Sequence, residues 1–175
     1  MTRTGTILWL TGLSGAGKTT IALGVLQILQ QRQRAAELLD GDIIRTNLSH
    51  GLGFSKQDRD LNVLRVGFVA NLLAKHGVIA ISAVISPYRD TRQQVRASAS
   101  NFLEVYVSAP LEICESRDVK GLYAKARAGK ITGFTGIDDP YEPPHLPEVT
   151  CYTAVETIDQ SVDKVIAALT SYGYL

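Results

Sequence analysis

Cysteine is scarce in this sequence. Cys114 and Cys151 are the only two, without C-x-x-C spacing, so neither a disulfide framework nor a thiolate metal site is expected. His50, His76 and His145 are dispersed and form no H-x-x-x-H pair, which argues against a transition-metal centre. Charge of one sign is missing as well: 18 Lys and Arg against 17 Asp and Glu leave a formal charge of +1. A phosphate-tracking or membrane-bound surface normally carries a basic excess, so no nucleic-acid or membrane partner is expected and a nucleotide or small metabolite is the natural ligand. No apolar run is long enough to span a bilayer, and no signal or transit pattern precedes the first apolar segment. With its two unpaired thiols the chain is assigned to a reduced, cytoplasmic compartment. Internal repeats and low-complexity segments are lacking, and so is the guanine-reading N-K-x-D pattern.

What is present suffices for one core: 45% of the 175 residues are hydrophobic, and a single domain over residues 1–175 is expected. Apolar runs bounded by turn residues predict strands at 7–11, 36–39, 78–84 and 103–108, with a weaker one at 154–158. Helical spacing falls between them at about 17–33, 59–75, 89–99, 110–117 and 161–172, the last started by Asp159 or Ser161. Such alternation implies an α/β fold, a parallel sheet of about five strands sandwiched by helices, with ligands at the carboxyl ends of the strands.

Directly behind the first run stand Gly12, Leu13, Ser14, Gly15, Ala16, Gly17, Lys18 and Thr19, which match G-x-x-x-x-G-K-[ST], the phosphate-binding P-loop. Each fixed position has a physical task. The glycines let backbone N–H groups curl around phosphate oxygens, Lys18 reaches the β- and γ-phosphates, and Thr19 offers a hydroxyl to Mg²⁺. The following helix, entered through Thr20, points its positive dipole end at the same phosphates. A P-loop NTPase-type sheet binding ATP with Mg²⁺ is therefore expected.

Further candidates follow the other strands. Asp40 and Asp42 flank Gly41, and two carboxylates there can hold a hydrated Mg²⁺ or accept a hydroxyl proton, while Arg45 can grip an anion as a fork. Such a D-G-D also occurs in plain turns. Ser55 is the N-cap candidate of a helix on which Arg59, Asn62 and Arg65 recur every three residues, either as a polar binding row or as a solvated face. After the third strand, Ile85-Ser86-Pro87-Tyr88-Arg89 presents a hydroxyl, with Pro87 expected to hold Ser86 extended. Residues 118–147 are too long for an ordinary connection and read as a mobile, helix-containing lid, with the basic residues from Arg117 to Lys130 suited to a polyanion.

Together these segments resemble the adenylylsulfate kinases (APS kinases). The likeness rests on Leu39-Asp40-Gly41-Asp42 with Arg45, on Gly53-Phe54-Ser55 followed by Asp58, Arg59 and Asn62, on residues 85–89, and on the run from Arg117 through Gly133 to Asp138. It implies transfer of a phosphoryl group from ATP to the 3′-hydroxyl of adenylylsulfate, Mg²⁺ dependence and a homodimer. By that resemblance Asp40, Arg45, Phe54, Arg59, Asn62, Lys120 and Phe134 bind adenylylsulfate, the aromatic rings flanking its adenine. Arg117 lies over the ATP adenine, Asp42 sits nearest the reacting hydroxyl and, with Thr19, the metal, and Ser86 matches a serine described as a phosphorylated intermediate. Two departures stand out: the family's E-N-x-R-R becomes Leu61-Asn62-Val63-Leu64-Arg65, and Ile43 replaces an Asn. The longer N-terminal segment of redox-regulated relatives is absent, so no disulfide switch is expected. Rival readings are another small-molecule P-loop kinase, a slow nucleotide-hydrolysing switch, or a binding module without activity. Retention of Lys18, Thr19, Asp40 and Asp42 argues against the last.

Overall fold

A computed structural model describes residues 4–175. The elements run β1 (Thr6–Thr11), α1 (Lys18–Gln31), β2 (Ala36–Asp40), α2 (Gly41–Asn47), α3 (Lys56–Lys75), β3 (Ile79–Ala83), α4 (Arg89–Ser98), β4 (Phe102–Ser108), α5 (Leu111–Arg117), α6 (Leu122–Arg127), β5 (Val149–Tyr152) and α7 (Ile158–Ser171). The strands form one five-stranded sheet in the order β2-β3-β1-β4-β5, and every pairing is parallel. β1 lies centrally between β3 and β4 and helices cover both of its faces, which is why residues 7–10 read as an unbroken apolar run rather than an alternation.

The pleat then divides the core. Leu8 and Leu10 point to the side packed with Val25 and Leu29 of α1 and Val165 and Leu169 of α7, while Ile7 and Trp9 join Val63, Val66 and Ala70 of α3 and Val95 of α4. Each such fully buried chain contributes ~1.5–3 kcal/mol, so the central strand and its two helical layers anchor the domain. The α3 and α4 backbones approach closely: a Cβ at Gly67 would lie 2.7 Å from the Val95 methyls. Cys114 and Cys151 are buried and free, and burial pushes the Cys151 thiol up to about 11.

Four expectations need correction. The fifth strand is Val149–Tyr152, not 154–158, where the amides of Val155 and Glu156 instead turn back onto the Tyr152 carbonyl. The last helix starts three residues before 161, capped by Thr157 in a capping box with Gln160 rather than by Asp159 or Ser161. Residues 41–47 form a helix, α2, that the periodicity missed because it buries no side chain; Asp40 caps it by accepting from the Asp42 amide. Ser86 is not extended but has φ 41°, since Arg92 donates to its carbonyl at 2.6 Å and its hydroxyl is held on both sides, contacts that outweigh the bias imposed by Pro87.

Residues 118–147 contain the expected helix, α6, but their second half is fastened. Asp138 accepts the amides of Gly133 at 2.6 Å and Phe134 at 2.5 Å, and the Glu142 amide donates to the Pro87 carbonyl. Among the described residues no helix is long and apolar enough to cross a membrane.

Candidate active site

The carboxyl ends of β1, β2 and β3 open into a cleft of about 720 Å³. One end of it is the loop after β1. Gly12 has φ 152° and passes so near β4 that a Cβ there would sit 2.4 Å from the Val107 carbonyl oxygen, so only glycine lets the chain turn at this point. Ser14, Gly15, Gly17, Lys18, Thr19 and Thr20 line the cleft, whereas Gly12, Leu13 and Ala16 support it from behind. Lys18 is nearly buried and donates to the carbonyls of Gly12 at 2.9 Å and Leu13 at 2.7 Å. Desolvation by that burial lowers its pKa to about 8, with Lys120 adding to the depression and Asp42 and Asp40 opposing it.

Side chains from distant segments brace the loop's remaining carbonyls. Tyr123 of α6 donates to Ser14 at 2.9 Å, Thr153 donates to Ala16 at 2.7 Å, and Arg117 reaches Gly15 at 3.2 Å while also holding the Thr153 carbonyl at 2.6 Å. Arg117 therefore stands at the junction of the loop and the segment leading to α7. Of the basic residues from Arg117 to Lys130, Arg117 and Lys120 line the cleft, and Arg127 turns to Glu115.

Thr19 donates its hydroxyl to Asp40 at 3.0 Å. The carboxylate brought to the P-loop threonine is thus Asp40, and Asp42, expected there, is instead ion-paired with Lys120 across the cleft. A hydroxyl and a carboxylate converging on a phosphate loop are hard oxygen donors of the kind Mg²⁺ prefers. No cluster of three or more His, Cys, Asp or Glu that could hold a metal occurs among the described residues.

The opposite wall is aromatic and cationic. Arg45 stacks on Phe54, 4.4 Å from the ring centroid, and donates to the Gly53 carbonyl at 2.9 Å; burial, then the nearby Arg59, lowers its pKa. Phe134 packs edge-on against Tyr123 at 4.9 Å, and both phenylalanines line the cleft. Asn62 is buried, and its Oδ1 has no hydrogen-bond partner, an orphan acceptor beside the cleft. Arg59, from the same helix, is buried and donates to Phe54, Gly133 and Thr135. Arg65, the third member of that row, donates to the Leu48 carbonyl at the end of α2 and does not line the cleft.

Ser86 lines the cleft but is 3% exposed. Its hydroxyl accepts from the Trp9 indole at 3.1 Å and donates to Thr11 at 3.0 Å, and Thr11 also meets the Tyr141 hydroxyl at 3.0 Å. Among the described residues no histidine or carboxylate is bonded to it, so none of these contacts activates it as a nucleophile.

A model of the adenylylsulphate kinase family matches residues 4–152. The chain belongs to that family. It is 60% identical over 175 residues to the adenylyl-sulfate kinase of Rippkaea orientalis, covering all of this chain and 97% of that protein, and 56% identical to the enzyme of Chloroflexus aurantiacus over 96% of this chain and 90% of that one. Among solved structures it resembles the Mycobacterium tuberculosis APS kinase in complex with AMPPNP and APS, at a TM-score of 0.93 and 42% identity, covering 96% of this chain and 99% of that one. A gluconokinase from Sinorhizobium meliloti, 16% identical with a TM-score of 0.62, shares the fold alone.

Against this family, the departures at Leu61 and Leu64 fall on the outer side of α3, where both are exposed, and leave Arg59 and Asn62 facing inward. The sequence missed the bracing residues Tyr123 and Thr153. Their only local signals were a tyrosine inside a basic segment and a threonine after a short strand, neither of which states what it will touch.

Proposed function

We propose that the chain transfers the γ-phosphoryl group of ATP to the 3′-hydroxyl of adenylylsulfate, giving 3′-phosphoadenylylsulfate and ADP in sulfate activation. The observation that carries this reading is one cleft with a P-loop at one end and an aromatic, arginine-bearing wall at the other. ATP phosphates lie in the P-loop, on the amides of residues 14–19 and on Lys18, with Arg117 beside the nucleotide base. Adenylylsulfate enters opposite, its adenine between Phe54 and Phe134, its anionic group near Arg45 and Lys120, and the free Oδ1 of Asn62 available to a donor on the acceptor.

Phosphoryl transfer has a loose transition state, so positioning and charge stabilisation carry most of the catalysis. Thr19 and Asp40 fit as holders of Mg²⁺, which supplies neutralisation of charge on the transferring phosphate. Asp42 orients the 3′-hydroxyl and takes up its proton once the acceptor displaces Lys120 from it. The transfer is direct and in line, without a phosphoserine at Ser86. Residues 1–175 act as one kinase domain, with the segment around 118–131 closing over the phosphates.

The protein works in the cytoplasm as a homodimer. Support for self-association is the apolar ridge of Leu61, Leu64, Phe68 and Leu72 on α3, of which Phe68 is 71% exposed. Incubation with ATP, Mg²⁺ and adenylylsulfate should yield 3′-phosphoadenylylsulfate. Product from a sugar or a nucleoside monophosphate instead, or acceptor-independent hydrolysis alone, would overturn the assignment.

A further inference from the structure

Arg59 is placed where a substrate-binding arginine is expected, yet three of its five N–H donors are already bonded to the protein. Its Nε donates to the Phe54 carbonyl at 2.7 Å, Nη1 to the Thr135 hydroxyl and Nη2 to the Gly133 carbonyl, while Asp139 pairs with Nη2 at 3.3 Å. Thr135 is 2% and Arg59 8% exposed, so this junction is largely desolvated although both residues border the cleft. Phe54 belongs to the loop before α3, and residues 133 and 135 bracket Phe134. One guanidinium therefore fixes both rings, each through backbone next to or at the aromatic residue. Phe54 has little other support, being 62% exposed with Arg45 stacked on it. The planar, forked donor set of arginine suits three acceptors in different directions, and lysine cannot reproduce it.

We infer that Arg59 is a positioning residue that sets the spacing of the Phe54 and Phe134 rings, and so selects a flat purine in the acceptor, rather than a ligand of the acceptor's phosphosulfate. This rests on the acceptor placement proposed above. Charge-assisted hydrogen bonds hold two separate loops in register, and a ring gap that is preorganised costs the acceptor less ordering on binding.

The test is a double-mutant cycle on kinetics. Arg59→Lys should raise KM for adenylylsulfate about tenfold, as expected for losing charged hydrogen bonds, while KM for ATP stays within about twofold. In a Phe134→Leu background the same substitution should add less than about twofold, because the wall it positions is gone. A full, multiplicative effect in that background, or no effect in the parent, overturns the inference. Amide hydrogen exchange of residues 52–55 and 133–139 should quicken in Arg59→Lys without any ligand, and unchanged exchange also overturns it. Thr135→Val, which removes one acceptor and keeps the arginine, gives the same pattern at smaller size if Arg59→Lys folds poorly. The exchange measurement does not involve the acceptor, so failure of the proposed activity, seen as wild-type protein making no product, is distinguishable from failure of this role.

Discussion

The phosphate end of the cleft is one contiguous octapeptide whose carbonyls are gripped by Lys18, Tyr123, Arg117 and Thr153, whereas the acceptor end is assembled from four separated stretches of chain. At the first, sequence and geometry coincide: a fully buried strand delivers the loop, and the positive φ of Gly12 and the close approach to β4 leave it one path. At the second, α2 buries nothing and Phe54 is largely exposed, so the wall depends on a few side-chain contacts made across the fold. Contiguous sites are specified locally and held stiffly, while assembled sites draw on the least stable parts of the structure, which suits a surface that must admit and release a substrate.

The contrast can be broken most sharply at Lys18. Lys18→Ala should lower kcat by ~10²-fold or more while leaving thermal stability near that of the parent, the size expected when a charge-stabilising donor is removed. Near-normal turnover would remove the loop from the chemistry.

Next in size is the division between the two aspartates. Asp40→Asn should raise the Mg²⁺ concentration for half-maximal rate by about 10–100-fold, whereas Asp42→Asn should depress kcat with little change in that requirement. The reverse pattern would return Asp42 to the metal and make Asp40 a helix cap only.

A pH profile sharpens the same comparison. With the Lys18 pKa lowered from 10.5 to about 8 by burial, kcat/KM for ATP should fall about tenfold per unit as pH rises above 8, because the free enzyme loses the charge that attracts phosphate. The linkage sign is opposite for stability. Between pH 8 and 10.5 the unfolded chain binds the proton that the folded chain has released, so this lysine's unfavourable burial is relieved as pH rises through that window and is at its full cost below it. Lys18→Arg, which stays charged, should move the kinetic limb out of the range, and a limb left unmoved would assign it to another group.

The smallest effect is expected at Ser86. Ser86→Ala should keep turnover within about threefold, yet destabilise the fold by ~1–3 kcal/mol, because the buried Trp9 indole N–H loses its acceptor. Labelled phosphoserine trapped with ATP alone would contradict direct transfer.

Much of this was legible in the chain. Strands β1 to β4 lie where apolar runs predicted them, and the Ser55 cap of α3 is present, accepting from the Asp58 amide. What failed shares one cause. The edge strand β5 is four residues long with partial burial, α2 has no apolar face, and the Ser86 backbone is set by Arg92 from the next helix, so in each case the deciding contact is remote in sequence. The site behaves likewise: Asp40, Arg45, Phe54, Arg59, Asn62, Lys120 and Phe134 were named from motifs and do line one cleft, but motifs carried no sign that Arg59 also bonds two loops or that Lys120 pairs with Asp42.

By itself the sequence determined the sheet, the phosphate loop and the family, because hydrophobic period, glycine freedom and contiguous motifs are local properties of the chain. Only the tertiary structure decided which aspartate meets Thr19, that the Ser86 hydroxyl is locked between Trp9 and Thr11, and which arginine holds the aromatic wall. Apart from the local bond of Arg59 to Phe54, those are choices of hydrogen-bond partner among groups 21 to 77 residues apart, and they exist only once packing has brought the partners within about 3 Å of each other.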